Sequence, residues 1–230
     1  SNTSKSFYQE AVKFMFGNHE KAIESMNKAL ALDPNFAEAH HVKSVCLRSL
    51  KRVEEALVPI NKACDLKPDM YVFHLEKFIL LKSMGKDQEA LESMNKVLSL
   101  KDDDLDFYYE KLEALCDVEK YEEALECANS IISKDSGRID TLKKKAEILQ
   151  ELGKHNEAVE SFQVIIDLEP KNSENYYKQG LSFQSLGKNI EALKSIKKAL
   201  EFSSGNLVYT SRLNQLLSLE EKAKEKIQDD

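Results

Sequence analysis

The side chains of this chain that could do chemistry are few. Five histidines (His19, His40, His41, His74 and His155) and four cysteines (Cys46, Cys64, Cys116 and Cys127) could hold a metal or act as base and nucleophile. A zinc site needs donors at short spacing, as in Cys-x-x-Cys or His-Glu-x-x-His, because one helical turn or tight loop must bring two of them to one ion. Neither spacing occurs, and the cysteines form no disulfide framework. A Gly-rich phosphate loop and a Gly-x-Ser-x-Gly nucleophile turn are also missing from the sequence. Asp102, Asp103 and Asp104 concentrate carboxylates, but in a stretch between helical segments, where a solvated turn is expected. These residues point away from an enzyme, and no metal or cofactor is expected.

Charge narrows the partner. Lys and Arg number 33 against 40 Asp and Glu, for a net charge of −7. The excess is uneven, with 18 basic and 24 acidic residues in 105–230. An acidic surface repels phosphate backbones and anionic lipid heads, so neither nucleic acid nor membrane is an expected partner. No apolar run approaches the roughly 18–20 residues of a membrane-spanning helix. The stretch from Ser1 to Ser6 is polar and lacks a signal-peptide pattern, so the expected compartment is the cytoplasm.

Behind these side chains lies a period. Stepping by 34 residues from Ala22 reaches Ala56, Ala90, Ala124, Ala158 and Ala192, with no insertion. Four residues on come Met26, Ile60, Met94, Ala128, Phe162 and Ile196; seven on come Ala29, Ala63, Val97, Ile131, Ile165 and Ala199. Spacings of four and seven share one helical face, so each period holds a helix with a buried stripe. Twelve residues after the alanine, Pro34, Pro68, Asp102, Ser136, Pro170 and Ser204 punctuate it. An earlier helix precedes each stripe, shown best by Tyr176, Gly180 and Phe183. Gly187 stops it, and Gly17, Gly85 and Gly153 are expected at the same stop with positive φ. The columns also reassign the reactive side chains. His40 and His74 align with Tyr108, Leu142 and Tyr176 as packing residues, and Cys64 aligns with Leu30, Leu98 and Ile132 in the core. Cys116 has no neighbouring base in sequence to make it reactive.

This pattern of aromatic, small residue, aromatic, Ala, bulky apolar residue, Ala and Pro resembles the tetratricopeptide repeat. The resemblance implies an all-α superhelical solenoid of antiparallel helix pairs forming a single domain over 1–230. Its repeats are expected at about 4–36, 37–70, 71–104, 105–138, 139–172 and 173–206, with a capping helix at 207–230. Apolar residues of that last segment (Leu213, Leu216, Leu217, Ala223 and Ile227) form one stripe, expected to cover the final repeat. Three departures stand out. The first repeat is one residue short if Phe7, Ala11 and Phe14 fill its first-helix face. Phe78 and Leu112 stand where Gly180 stands, and Pro59 falls inside a helix it should bend.

In that family the first helix of each repeat lines a concave surface that holds a peptide. Carried onto this sequence, one column is Tyr8, His41, Leu75, Tyr109, Lys143 and Tyr177. A second is Val12, Val45, Ile79, Glu113, Glu147 and Leu181; a third is Met15, Arg48, Lys82, Cys116, Gln150 and Gln184. Tyr8, Val12, Met15, His41, Val45, Leu75 and Ile79 make an apolar strip with Arg48 and Lys82 at its edge. Tyr109, Glu113, Asp117, Asp140, Glu147 and Glu151 make an acidic wall. Chaperone-adaptor members grip acidic tails with a Lys followed four residues later by Asn. Here the Asn column contains no Asn, and Glu147 follows Lys143, so this is not expected to be such an adaptor. The expected function is a non-enzymatic scaffold binding a peptide or helix of a partner protein. Self-assembly as a homo-oligomer, or service as the regulatory arm of a longer protein, are the alternatives.

Overall fold

The computed structural model describes residues 3–230; residues 1 and 2 of the polar N-terminal stretch lie outside the described residues. Among the described residues there are thirteen α-helices and no strand. The first helices of the repeats are α1 (Ser4–Phe14), α3 (Ala37–Ser49), α5 (Tyr71–Ser83), α7 (Leu105–Asp117), α9 (Ile139–Glu151) and α11 (Ser173–Ser185). The second helices are α2 (His19–Leu32), α4 (Val53–Leu66), α6 (Asp87–Leu100), α8 (Tyr121–Lys134), α10 (His155–Leu168) and α12 (Asn189–Phe202). The last is α13 (Leu207–Asp229). From α3 onward each first helix begins 34 residues after the previous one, as does each second helix throughout. The chain forms two compact units, Ser1–Glu119 and Lys120–Asp230, with the boundary between α7 and α8.

The stripe of the second helices is the core of both units. Every residue of the three columns that begin at Ala22, Met26 and Ala29 is at most 2% exposed. Alanine at the first position lets the paired first helix come close, to within atomic contact. Ser44 Oγ donates to the carbonyl of Ala56 at 2.8 Å. At the equivalent place a Cβ on Gly180 would meet Ile196 Cγ1 at 2.8 Å and the Ala192 carbonyl at 3.4 Å. Ser44 and Gly180 suit that close approach, while in the third and fourth repeats the same place is already filled by the buried side chains of Phe78 and Leu112. Ala124, fully buried in the same column, should therefore tolerate no bulk. Ala124→Leu is expected to overpack the site and cost about 1–3 kcal/mol; a denaturant midpoint equal to wild type would refute the close approach assigned to this column. Pro59 is buried within α4, which runs unbroken from Val53 to Leu66.

Two expectations need correction. Gly85, Gly153 and Gly187 have φ near +70°, but Gly17 does not, and Lys51 (φ 63°) and Glu119 (φ 58°) take the left-handed stop without being glycine. The reason is the length of the connection. In the three-residue turns the N–H groups of Arg52, Lys86, Lys154 and Lys188 reach carbonyls five residues back, which requires a left-handed residue between. In the first repeat four residues separate the helices, and Asn18 N–H bonds the Phe14 carbonyl only four residues back. The shift seats Ala11 fully buried in the small-residue position.

The second correction concerns the capping helix. Only its first half packs: Tyr209 and Leu216 are buried and Leu213 is partly buried against Ile196 and Ala199 and their neighbours. Leu217, Ala223 and Ile227 are exposed, because α13 has 23 residues against the 14 of α12, so its second half runs past the other end of that helix. The stripe continues in sequence where no helix remains beneath it.

Candidate functional site

The groove columns lie on the first helices, and all of their site residues except Val12, at 37% exposed, are partly buried. This half-burial follows from their position between the core stripe and solvent, and it splits the columns into different roles.

Rings of the first column pack on aromatic residues in, or capping, the next helix of the groove face. Tyr8 stacks on Phe36 with centroids 4.9 Å apart, His41 meets Phe73 at 5.0 Å, and Tyr177 stacks on Tyr209 at 4.4 Å. Burial lowers the His41 pKa, outweighing the opposing pull of Glu76, so this imidazole is neutral and part of the packing. Lys143 pairs with Glu169 at 2.8 Å.

The third column binds repeat to repeat. Arg48 places its guanidinium on Glu76 in a two-pronged pair, Nε to Oε1 at 2.7 Å and Nη2 to Oε2 at 3.1 Å. One repeat on, Lys82 Nζ lies 3.1 Å from Glu110 and 3.4 Å from Glu113. In the second unit Gln150 donates to the Lys178 carbonyl at 2.9 Å and to Ser182 Oγ at 2.7 Å. Gln184 accepts from Arg212 at 3.3 Å. Arg48, Lys82, Gln150 and Gln184 each reach a residue 28 positions ahead, on the neighbouring first helix.

Arg48 and Lys82, the basic residues at the edge of the strip, are both paired with carboxylates of the next first helix. Glu76 is 4% exposed, and a buried carboxylate requires a counter-charge, which Arg48 supplies. The hydrogen-bonded Glu76 holds the Arg48 guanidinium even more firmly in its charged form. The acidic wall is likewise not a row of bare carboxylates. Glu113 shares Lys82, Glu147 pairs with Lys178, and Asp140 pairs with Arg138 at 3.2 Å. Asp117 and Glu151 are exposed. Glu76, Glu110 and Lys178 escaped the reading of the sequence, although opposite charges 28 residues apart (Arg48 with Glu76, Lys82 with Glu110) were a visible signal.

What remains open is apolar. Between α5 and α7 lies a cleft of about 480 Å³, with Leu75, Phe78, Ile79 and Phe107 as its apolar lining and Lys82 and Glu110 on its rim. Further clefts open beside Tyr8 (about 390 Å³), between α1 and the turn before α3, and beside Tyr177 (about 320 Å³), between α11 and α13 and with a more polar lining. The residues with reactive potential lie elsewhere. Burial pushes the thiols of Cys46 and Cys64 up to about 11, which keeps them protonated and unreactive. His40 and His74 ring nitrogens bond the carbonyls of Pro34 and Pro68 at 2.8 Å, and Tyr176 hydroxyl donates to that of Pro170 at 2.7 Å. A proline followed six residues later by His or Tyr thus pins the entry to a repeat. Among the described residues no three His, Cys, Asp or Glu side chains converge. No helix of the described residues is long and apolar enough to cross a membrane.

Comparison with known proteins follows the same pattern. A family model described as tetratricopeptide repeat matches residues 16–71, and a second with that description matches 142–172 and 173–206. Together they span more than half of the chain. No curated protein matches the sequence. Among solved structures, YrrB, described as a TPR protein with an unusual peptide-binding site, is similar at 18% identity with a TM-score of 0.70, over 83% of this chain and 98% of that one. A tetratricopeptide repeat protein from Parabacteroides merdae shares 18% identity with a TM-score of 0.67, over 96% and 88%. MamA from Desulfovibrio magneticus shares 19% identity with a TM-score of 0.63, over 73% and 95%. At these identities the likeness is one of fold: an all-α tetratricopeptide-repeat solenoid.

Proposed function

Because the chain belongs to the tetratricopeptide-repeat family, a fold of protein–protein interaction scaffolds, we propose that it captures a peptide or helix of a partner protein on its first-helix face. On this reading it is a binding protein and not a catalyst. One observation supports it above the others: the α5–α7 cleft, where Leu75 and Ile79 stay half-open although every core column is closed. An apolar recess left uncovered by its own chain is characteristic of a surface that another molecule covers. The YrrB neighbour, with its peptide-binding site, adds support at the level of fold. Of the expected groove residues, Leu75, Ile79, Lys82, Tyr8 and Tyr177 line clefts, and the four apolar or aromatic ones are the main contacts proposed here. Val12, Met15, Val45 and Tyr109 flank them as secondary contacts, and His41 acts through its packing on Phe73.

The test is the double variant Leu75→Asp/Ile79→Asp. Both side chains are only partly buried, so charge there can reach water and helical content should persist by circular dichroism. Affinity capture from cell extract is expected to lose its specific partner. Capture of the same partner by a folded double variant would place binding away from this cleft.

A further inference from the structure

Building on the groove reading above, we propose that the α5–α7 cleft selects a segment in which a large apolar side chain lies beside a lysine or arginine. The apolar half of this motif follows from the lining, where Leu75, Ile79 and Phe107 are half-exposed around the buried Phe78. The volume of about 480 Å³ falls within the range of roughly 300–1,000 Å³ common for ligand clefts.

The basic half follows from counting charges at the mouth. One ammonium, Lys82, is shared between two carboxylates, Glu110 at 3.1 Å and Glu113 at 3.4 Å. The side chains of these two glutamates are 40% and 32% exposed, so they present oxygen to solvent while contacting Lys82. Glu110 and Asp106 line the cleft with Lys82, and Glu113 adjoins it through Lys82, so the border carries excess negative charge beside an apolar floor and the one cation of the lining is already engaged. An acidic segment would meet repulsion there, whereas a second cation would complete the pairing. One repeat earlier in the same column the balance differs: Arg48 and Glu76 are matched one to one and Glu76 is buried.

Random dodecapeptides displayed on phage, selected on the intact chain and counter-selected on Leu75→Asp, test the inference. The Leu75-dependent peptides are expected to share a Leu, Ile, Phe or Met within four residues of a Lys or Arg. In fluorescence anisotropy, Glu110→Gln/Glu113→Gln should weaken these peptides by about 3- to 10-fold, the range for two partly exposed ion pairs. Replacing the peptide's Lys or Arg by Gln should cost the same on wild type and nothing more on the variant. The single substitutions Glu110→Gln and Glu113→Gln repeat the measurement should the double variant fold poorly. Leu75-dependent peptides that are acidic, or indifferent to both glutamates, would overturn the charge preference and leave the groove reading standing. A selection yielding no Leu75-dependent peptide would overturn both.

Discussion

Phe162→Ala is expected to destabilise the second unit by about 3–5 kcal/mol, the usual cost of emptying a buried aromatic site. Phe162 is 1% exposed and packs among Ala146, Leu149, Ala158 and Ile165, with Leu125 and Leu142 against them. Its column is filled by Met26, Ile60, Met94 and Ile196 in other repeats and by Ala128 in α8. Phe162 is the largest side chain of this cluster, so its truncation leaves the largest void there. A unit of this size has a stability on the order of 5–15 kcal/mol, so the loss is a large fraction of the whole. In repeat architectures each unit leans mainly on its neighbours, so amide protection should fall first in α9, α10 and α11. Urea unfolding and hydrogen exchange together measure this. A loss below about 1 kcal/mol would mean that Phe162 is not the centre of this cluster.

Arg48→Ala is expected to cost about 2–4 kcal/mol, somewhat below the full value for a broken buried pair because the guanidinium is itself partly exposed. The variant leaves the carboxylate of Glu76, 4% exposed, with no counter-charge. Arg48→Lys should recover only part of the loss, since an ammonium cannot reproduce bonds to both oxygens of the carboxylate. Arg48→Met combined with Glu76→Met should be far milder than Arg48→Ala, because it removes the stranded charge along with its partner. Melting curves of the four proteins distinguish the structural role from the ligand-binding role that the column position implied. An Arg48→Ala protein of wild-type stability with impaired peptide capture would restore Arg48 to the binding surface.

The same column shows why the candidate site was only half visible beforehand. Leu75 and Ile79 could be placed on the groove face from the period alone, and they line the α5–α7 cleft. Their neighbours Arg48, Lys82, Glu113 and Glu147 could be placed there too, but their partners show only as opposite charges 28 or more residues away and not within the same helix. A charge on a helix looks the same in sequence whether it faces solvent or a carboxylate on the next helix. Glu76 illustrates the point: nothing in its local sequence marks it as buried.

By itself, the sequence determined the helices, their pairing and the closed core. Those depend on residues three, four and seven apart and on a 34-residue recurrence, both of which are properties of the chain read in order. The aligned alanines announced a close approach, and Gly180 and Ser44 meet the opposing backbone as that spacing required. Tertiary structure alone decided which charges are available to a partner, where the cap ends and which turn must be left-handed. Arg48 is spent on Glu76 28 residues away, α13 outruns the helix beneath it, and Gly17 is spared a positive φ by one added turn residue. Each outcome depends on distances between elements, which local spacing does not encode.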